Sequence, residues 1–423
     1  MGENGQVSPP VMLTVPPDRD PPTVHQASAP SVSGSSTDGA HRPVVAVRRV
    51  GPDIADAVAE FFRAVWDEHA TGEKVRAASA AAAAQNPVEP GVDVPSVVFL
   101  SDGKVLGYLG TIPVSFWNGR SETPTYWLKG FMVLPEHRNG PVGFNLLKEA
   151  LKIVGPTGAI AAAPAARRLF TALGLVECGQ IPNYITVLRP ARVLSSLDIG
   201  ALGMTLPGWM SRALTLAQRT GLAALGGAIG GLGLSGWRGV RGGGGRDCRI
   251  QSGGSLPPRE ELDALWYRTR ATIAAAAVRD GTYLPWRYEP GPGKTYEAVA
   301  VRDQAGTLDA VAIVKQPRAE GDERLRGIKV ATLSDLLFPT DRPDAGLAAL
   351  AGAERVARRM GADAILCSAT HPAVTTLLPR RAYVRMPGNI YFLIRDPKRA
   401  LEFPTALDAW WVTRGDDGSD ETF

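Results

Sequence analysis

The residues best placed to do chemistry in this 423-residue chain cluster between Trp127 and Leu151. An apolar run, Trp127 to Val133, meets Pro135 and then the polar turn Glu136-His137-Arg138-Asn139-Gly140. Val142, Leu146, Leu147, Ala150 and Leu151 follow at helical spacing. A strand, a glycine-bearing turn and a helix start, in that order, aim unpaired backbone N–H groups and the positive end of a helix dipole at one point. Arg138 adds a fixed charge there, and a phosphate or pyrophosphate is the natural guest. The same order also arises wherever a chain has to turn tightly between strand and helix. The turn alone therefore leaves both readings open.

The elements around the turn have a definite order. Val97-Val98-Phe99-Leu100, the turn Ser101-Asp102-Gly103-Lys104 and Val105 to Ile112 read as a hairpin, with Asp-Gly at its tip. After the helix, Ala159 to Ala163 is a short apolar strand, and Ala165 to Leu175 reads as a helix ended by Gly174. Asn183 to Leu188 is a further strand. The whole set recurs about 205 residues later. Val299-Asp303 and Leu308-Val314 repeat the hairpin, Ile328-Leu337 the central strand, Pro343-Met360 the helix and Asp363-Cys367 the next strand. Asn389–Arg395 matches Asn183–Arg189, and each run meets a proline, Pro397 and Pro190.

With these residues in that order, the chain resembles the GNAT family of acyl-CoA-dependent N-acetyltransferases. The family's pyrophosphate loop, Arg/Gln-x-x-Gly-x-Gly/Ala, matches here at Arg138, Asn139, Gly140, Pro141, Val142 and Gly143. Pro141 stands where the central glycine belongs, which removes one donor from the cradle but suits a first helical residue. The resemblance implies acetyl-CoA or another acyl-CoA as co-substrate and no metal. The diphosphate would sit on Arg138, Asn139, Gly140, Val142 and Gly143, and the backbone of Met132 and Val133 would bind the acyl carbonyl and pantetheine amides. The family's acid, a tyrosine that protonates the departing thiolate, falls at Thr171, whose hydroxyl cannot fill that role. Tyr184 is the possible stand-in. Glu136 and His137 are the nearest candidates in sequence for the general base, with Glu122 a weaker one. Lys129, inside an apolar strand, either faces the cleft or sends its ammonium to solvent.

The implied fold is α/β (α+β): two tandem GNAT-like domains, each a mixed, mostly antiparallel twisted sheet flanked by helices. Residues 43–190 form the first and hold the acyl-CoA site; residues 251–397 form a degenerate second. In place of a glycine loop the second copy has Phe338-Pro339-Thr340-Asp341-Arg342-Pro343-Asp344, whose acids would repel a diphosphate. Tyr283-Leu284-Pro285-Trp286-Arg287-Tyr288 resembles a phrase in tandem acetyltransferases of bacterial polysaccharide clusters. Trp286, Arg287 and Tyr288 are either sugar-binding groups or an aromatic turn packed under the second sheet. The expected activity is direct transfer of an acyl group, acetyl first, to an amine on a small molecule or saccharide. An aminoacyl transferase of the tandem type that builds peptidoglycan bridges, and a non-catalytic scaffold, are the alternatives.

Residues 1–42, rich in Pro, Ser, Gly and Thr, read as a disordered leader without the apolar core of a signal peptide. The alanine run Ala77–Ala84 reads as a helix over the cleft. The three cysteines, far apart and odd in number, suit neither a disulfide framework nor a zinc site, and point to a reducing, cytoplasmic compartment. A net charge of +4 with no basic stripe excludes nucleic acid as a partner. Residues 191–250 join the copies. From Ile199 to Arg246 there are five arginines and no acid, and twelve glycines lie between Gly221 and Gly245. Residues 199–246 are thus either a helical linker ending in a flexible tether or a basic, Trp-bearing segment lying on an anionic membrane. In the tail, 398–423, Trp410 and Trp411 are expected to dock and Asp416, Asp417, Asp420 and Glu421 to be solvated.

Overall fold

The computed structural model describes residues 44–161, 163–196, 212, 216–220, 222–241, 248–288, 295–317, 327–386, 388–418 and 420. The leader 1–42, Trp209, Arg246 and Glu421 lie outside the described residues. In the first half the strands are β1 (Val45–Arg49), β2 (Val97–Ser101), β3 (Lys104–Trp117), β4 (Glu122–Val133), β5 (Thr157–Ala161), β6 (Val176–Gln180) and β7 (Asn183–Val187). In the second half they are β8 (Arg249–Ser252), β9 (Ala275–Ala277), β10 (Tyr296–Arg302), β11 (Leu308–Lys315), β12 (Val330–Leu337), β13 (Ala364–Ser368), β14 (Val384–Met386), β15 (Tyr391–Arg395) and β16 (Trp410–Trp411).

These strands form two sheets, mostly antiparallel and flanked by helices. One runs β1-β2-β3-β4-β5-β15-β6, with β9 on the far end of β3 and β16 on β9; the other runs β14-β7-β13-β12-β11-β10-β8. The central pairs β4–β5 and β12–β13 are parallel, and in each copy a helix connects them, Val142–Val154 and Pro343–Arg359. The two halves exchange a strand. β15 of the second half lies between β5 and β6 of the first sheet, and β7 of the first half lies between β13 and β14 of the second. The crossing out of the first sheet is made at Ile181-Pro182, where proline has no N–H to offer a ladder.

The exchange decides where side chains go. Tyr184 pairs with Cys367 and Arg385 in the second sheet. The first sheet instead receives Tyr391, opposite Ala161, with the Arg167 guanidinium 3.2 Å above its ring. Phe392 brings a further ring to an aromatic cluster between the halves, at 5.7 Å from Trp127 and 4.9 Å from Trp410. Phe116 meets Trp127 and Trp410 edge-on at 5.0 and 5.5 Å. Each such pair adds about 0.5–1.5 kcal/mol beyond its area, so the halves are joined by core as well as by ladder.

The tail is the other seam. Trp410 and Trp411 dock, as the sequence suggests, but the acids behind them are not solvated: Asp416, Asp417 and Asp420 are buried. Arg279 explains the difference. Its Nε donates to both oxygens of Asp335, at 3.0 and 3.1 Å, and its Nη2 to both oxygens of Asp416, at 2.8 and 2.9 Å. Arg287 donates to Asp420 at 2.8 Å and to the Gly415 carbonyl at 3.1 Å, and the Tyr296 hydroxyl donates to Asp420 at 2.9 Å. Buried arginines far back in the chain neutralise carboxylates that sequence alone assigns to water. Burial still outweighs Arg279 at Asp416 and holds its carboxyl up to about 6.

Candidate active site

β4 is irregular where a substrate could lie. Tyr108 of β3 faces Met132 and Gly110 faces Lys129, so two residues, Gly130 and Phe131, stand opposite Leu109 alone. Gly130 has φ +64, the left-handed region that glycine enters without cost. Just before this bulge β4 stops pairing with β5: the shared ladder covers only Tyr126, Trp127 and Leu128. Beyond it, Ile160 and Ala161 of β5 pair with β15 on their other side. The two parallel strands therefore part at the bulge, and the bulged residues keep backbone groups that β5 does not use.

The strand then runs into the Arg138 turn. Pro135–His137 is a single 3-10 turn, and the helix begins at Val142 behind Pro141, with no side chain capping it. Gly140 N–H donates to the His137 carbonyl at 3.1 Å and Asn145 N–H to Pro141 at 3.0 Å. The amides of Val142, Gly143 and Phe144 between them meet no acceptor among the described residues. Arg138 is exposed, and its Nε donates to the Val133 carbonyl at 3.3 Å, which tethers the guanidinium at the strand's end. Gly143 packs close to the sheet: a Cβ there would stand 3.4 Å from the Phe131 ring and 3.5 Å from Val133. Met132, Val133, Arg138, Asn139, Gly140, Val142 and Gly143 thus form one continuous edge.

The remaining residues singled out in sequence are dispersed. Glu136 is exposed and His137 half-buried, both in the turn itself. Tyr184 is buried in the second sheet's core, because β7 left the first sheet, and does not join the Arg138 edge. Glu122 lies at the opposite end of β4, where it accepts from Trp266 Nε1 at 3.0 Å and pairs with Arg270 at 2.6 Å. Thr171 donates to the Arg167 carbonyl at 2.8 Å inside its own helix. Arg287 and Tyr288 are buried. The first is held by the tail, and the second donates to Asp335 at 3.3 Å. Neither presents a face to a sugar; only Trp286 is part exposed.

Two groups near the bulge went unused or undervalued in the sequence. Tyr108, directly across from Met132, donates to Ser96 Oγ at 3.1 Å, and burial raises the pKa of its phenol. Its hydroxyl lies 3.0 Å from where a Cβ on Gly110 would sit. Lys129 faces the same side of the sheet as Gly110 and reaches the tail, its Nζ 2.7 Å from a Cβ position on Gly418. The pairing register is the signal that would have found Tyr108, since it sets the tyrosine against the bulge. The alanine-rich helix Gly72–Ala84, capped by Thr71, flanks the first helix, Ala55–Val65, whose Phe61 and Phe62, with Trp66 just past its end, pack around Tyr108. Among the described residues no group of acids, cysteines and histidines could hold a metal.

Comparison with known proteins agrees with this geometry. Residues 54–175 match the family model described as acetyltransferase (GNAT) family. A search of curated proteins finds no match. Three solved structures are similar in fold. An Enterococcus faecalis protein described as a probable N-acyltransferase is 11% identical, with TM-score 0.51 over 83% of this chain and 72% of that one. A GCN5-related N-acetyltransferase from Kribbella flavida is 13% identical, with TM-score 0.50 over 85% and 73%. Saccharomyces cerevisiae N-myristoyltransferase with bound myristoyl-CoA is 12% identical, with TM-score 0.50 over 84% and 80%. At such identities the likeness concerns fold alone. The bulged strand, the parting of its partner and the glycine turn all fall within residues 54–175, the segment that is similar to the GNAT acetyltransferase family.

Proposed function

We propose that the first sheet binds acyl-CoA between β4 and β5 and transfers the acyl group, acetyl first, to an amine on a small molecule or saccharide. The observation that carries this is the pair formed by the bulge at Gly130 and the unpaired amides of Val142, Gly143 and Phe144. The amides and Arg138 take the diphosphate. Backbone groups of Met132 and Val133 take the pantetheine, and the thioester lies beside the bulge where β5 has parted. The fold relative solved with bound myristoyl-CoA supports an acyl-CoA donor.

On this geometry the acceptor nitrogen attacks the thioester carbonyl and gives up its proton to a base, directly or through water; the tetrahedral oxyanion then re-forms the carbonyl as the C–S bond breaks and the coenzyme leaves as thiolate. Glu136 and His137 lie beyond the end of β4, in the 3-10 turn that carries Arg138. They flank the diphosphate and do not touch the acceptor. Tyr108, kept protonated by burial and set across from the bulge, is the candidate acid for the departing thiolate. Lys129 and the tail at Gly418 form a wall that the acceptor must pass.

Calorimetric titration with acetyl-CoA tests the donor site. Micromolar binding, weakened at least about tenfold by Arg138→Glu with an unchanged unfolding midpoint, is the expected result; about 1.4 kcal/mol is tenfold. No binding to acetyl-CoA or any longer acyl-CoA removes the proposal. Tyr108→Phe is expected to lower turnover while leaving acyl-CoA affinity within about twofold.

A further inference from the structure

The helix Leu222–Arg241 is packed inside out. Around its 3.6-residue turn, Leu222, Leu225, Ile229, Leu232 and Val240 fall on one side. All five are exposed, Leu232 at 77% and Val240 at 86%. The opposite side meets the body. Gly227 is buried against Pro190-Ala191, where a Cβ would stand 2.5 Å from the Ala191 Cα, so only glycine permits the approach. Arg238, on that same inner side, is buried. It lies 3.4 Å from Glu354 and donates to Thr186 Oγ1 at 2.7 Å and to the Val187 carbonyl at 2.8 Å. A helix on a soluble surface turns its leucines inward and its charges outward. Here an arginine is inside and the leucines are in water, as happens where another apolar phase covers the outer face.

We propose that this face lies on an anionic lipid bilayer. The charge around it favours that occupant over a second copy. Arg212, Arg219 and Arg241 are exposed, and no acidic residue occurs from Ile199 to Arg246. A two-fold pairing would bring two arginine-bearing segments together with no carboxylate between them, whereas anionic headgroups are attracted to such a segment. Trp237 stands at the margin of the stripe, 46% exposed, with its indole N–H on the Pro379 carbonyl at 3.3 Å and the Arg241 guanidinium 5.1 Å from its ring. A ring with one wet edge beside an arginine suits the headgroup level. No described helix is long and apolar enough to cross a membrane, so the contact is with the surface.

The test sediments the full chain with vesicles of equimolar phosphatidylglycerol and phosphatidylcholine, and with phosphatidylcholine alone. Binding is expected to the anionic vesicles at low salt, to weaken near 1 M salt, where the screening length is about 3 Å, and to be slight on phosphatidylcholine. L225E/I229E is expected to lower partition at least about a hundredfold, because it places two charges in the apolar layer. R212Q/R219Q/R241Q is expected to lower it on the order of a hundredfold, about fivefold per arginine. Both variants change exposed side chains, so the unfolding midpoint is the control for fold. Absence of binding to anionic vesicles overturns the proposal, as does binding that both variants leave intact. A lipid-free dimer that L225E/I229E dissolves also overturns it, because a second copy then covers the face.

Discussion

The two copies place a helix after a central strand in the same way and finish it oppositely. After β4 the turn is exposed, and among the described residues Arg138 reaches only a backbone carbonyl and the first amides of the helix meet no acceptor. After β12 the corresponding arginine, Arg342, is bound on both sides: 2.6 Å from Asp309, and with Nε and Nη2 each 3.3 Å from an oxygen of Asp344. The amides of Ala345 and Gly346 already donate to the Arg342 carbonyl, at 3.1 and 3.3 Å. Phe338 is fully buried against Trp411, and Gly346 leaves no room, a Cβ there lying 2.8 Å from both Phe338 and Leu377. One mouth is left open and the other is filled by the protein's own side chains. The same supersecondary unit is open where its charges are left unmatched and cohesive where they are matched.

The largest way to break this contrast is at the seam that supports the filled side. Arg279→Met leaves Asp335 and Asp416 buried without their cation and is expected to cost about 3–5 kcal/mol in urea unfolding. Arg138→Glu and Arg342→Glu should separate cleanly. The first loses acetyl-CoA by calorimetry and keeps its unfolding midpoint. The second keeps acetyl-CoA affinity within about twofold and loses about 1–3 kcal/mol of stability, since it leaves the buried Asp309 with one partner fewer. An equal loss of affinity in both would end the assignment of the site to the first copy. The glycines give a finer pair. Gly346→Ala is expected to destabilise by about 1–3 kcal/mol through overpacking. Gly143→Ala, which meets only ordinary contacts, should leave stability level or slightly raised while weakening acyl-CoA. The smallest effect is a pH slope. Asp416 titrates near 6 in the folded chain against an ordinary 3.8. Its folded pKa is raised, so its contribution is complete below the ordinary value and falls as pH rises through about 6. Asp416→Asn should flatten unfolding free energy over that window, measured by urea titration at several pH values.

Much of this was legible in the chain itself. The repeat, the hairpins, the Arg138 turn and the substitution of Asp341-Arg342 for glycine all follow from short-range pattern, and the two sheets follow from them. The strand exchange was not readable because Asn183–Arg189 and Asn389–Arg395 are alike, so either fits either sheet, and only tertiary geometry selects. Tyr184 was misplaced for that reason. The tail acids were assigned to water because their arginines lie more than a hundred residues earlier, as the Arg279–Asp416 bond shows. Cys367 is buried in β13, and burial pushes its thiol up to about 12, where it is inert at neutral pH.

The reciprocal loan of β7 and β15 has a consequence for how the molecule comes into being. The first sheet has a gap beside β5 until Tyr391–Arg395 arrives, more than two hundred residues further along the chain. An emerging first half therefore carries an open ladder until the second half is made, a state prone to pairing with the wrong neighbour. Closure must await contacts between segments some two hundred residues apart, which makes for slow folding. The halves are co-dependent from birth, and a fragment cut between them would inherit a missing rung on each side.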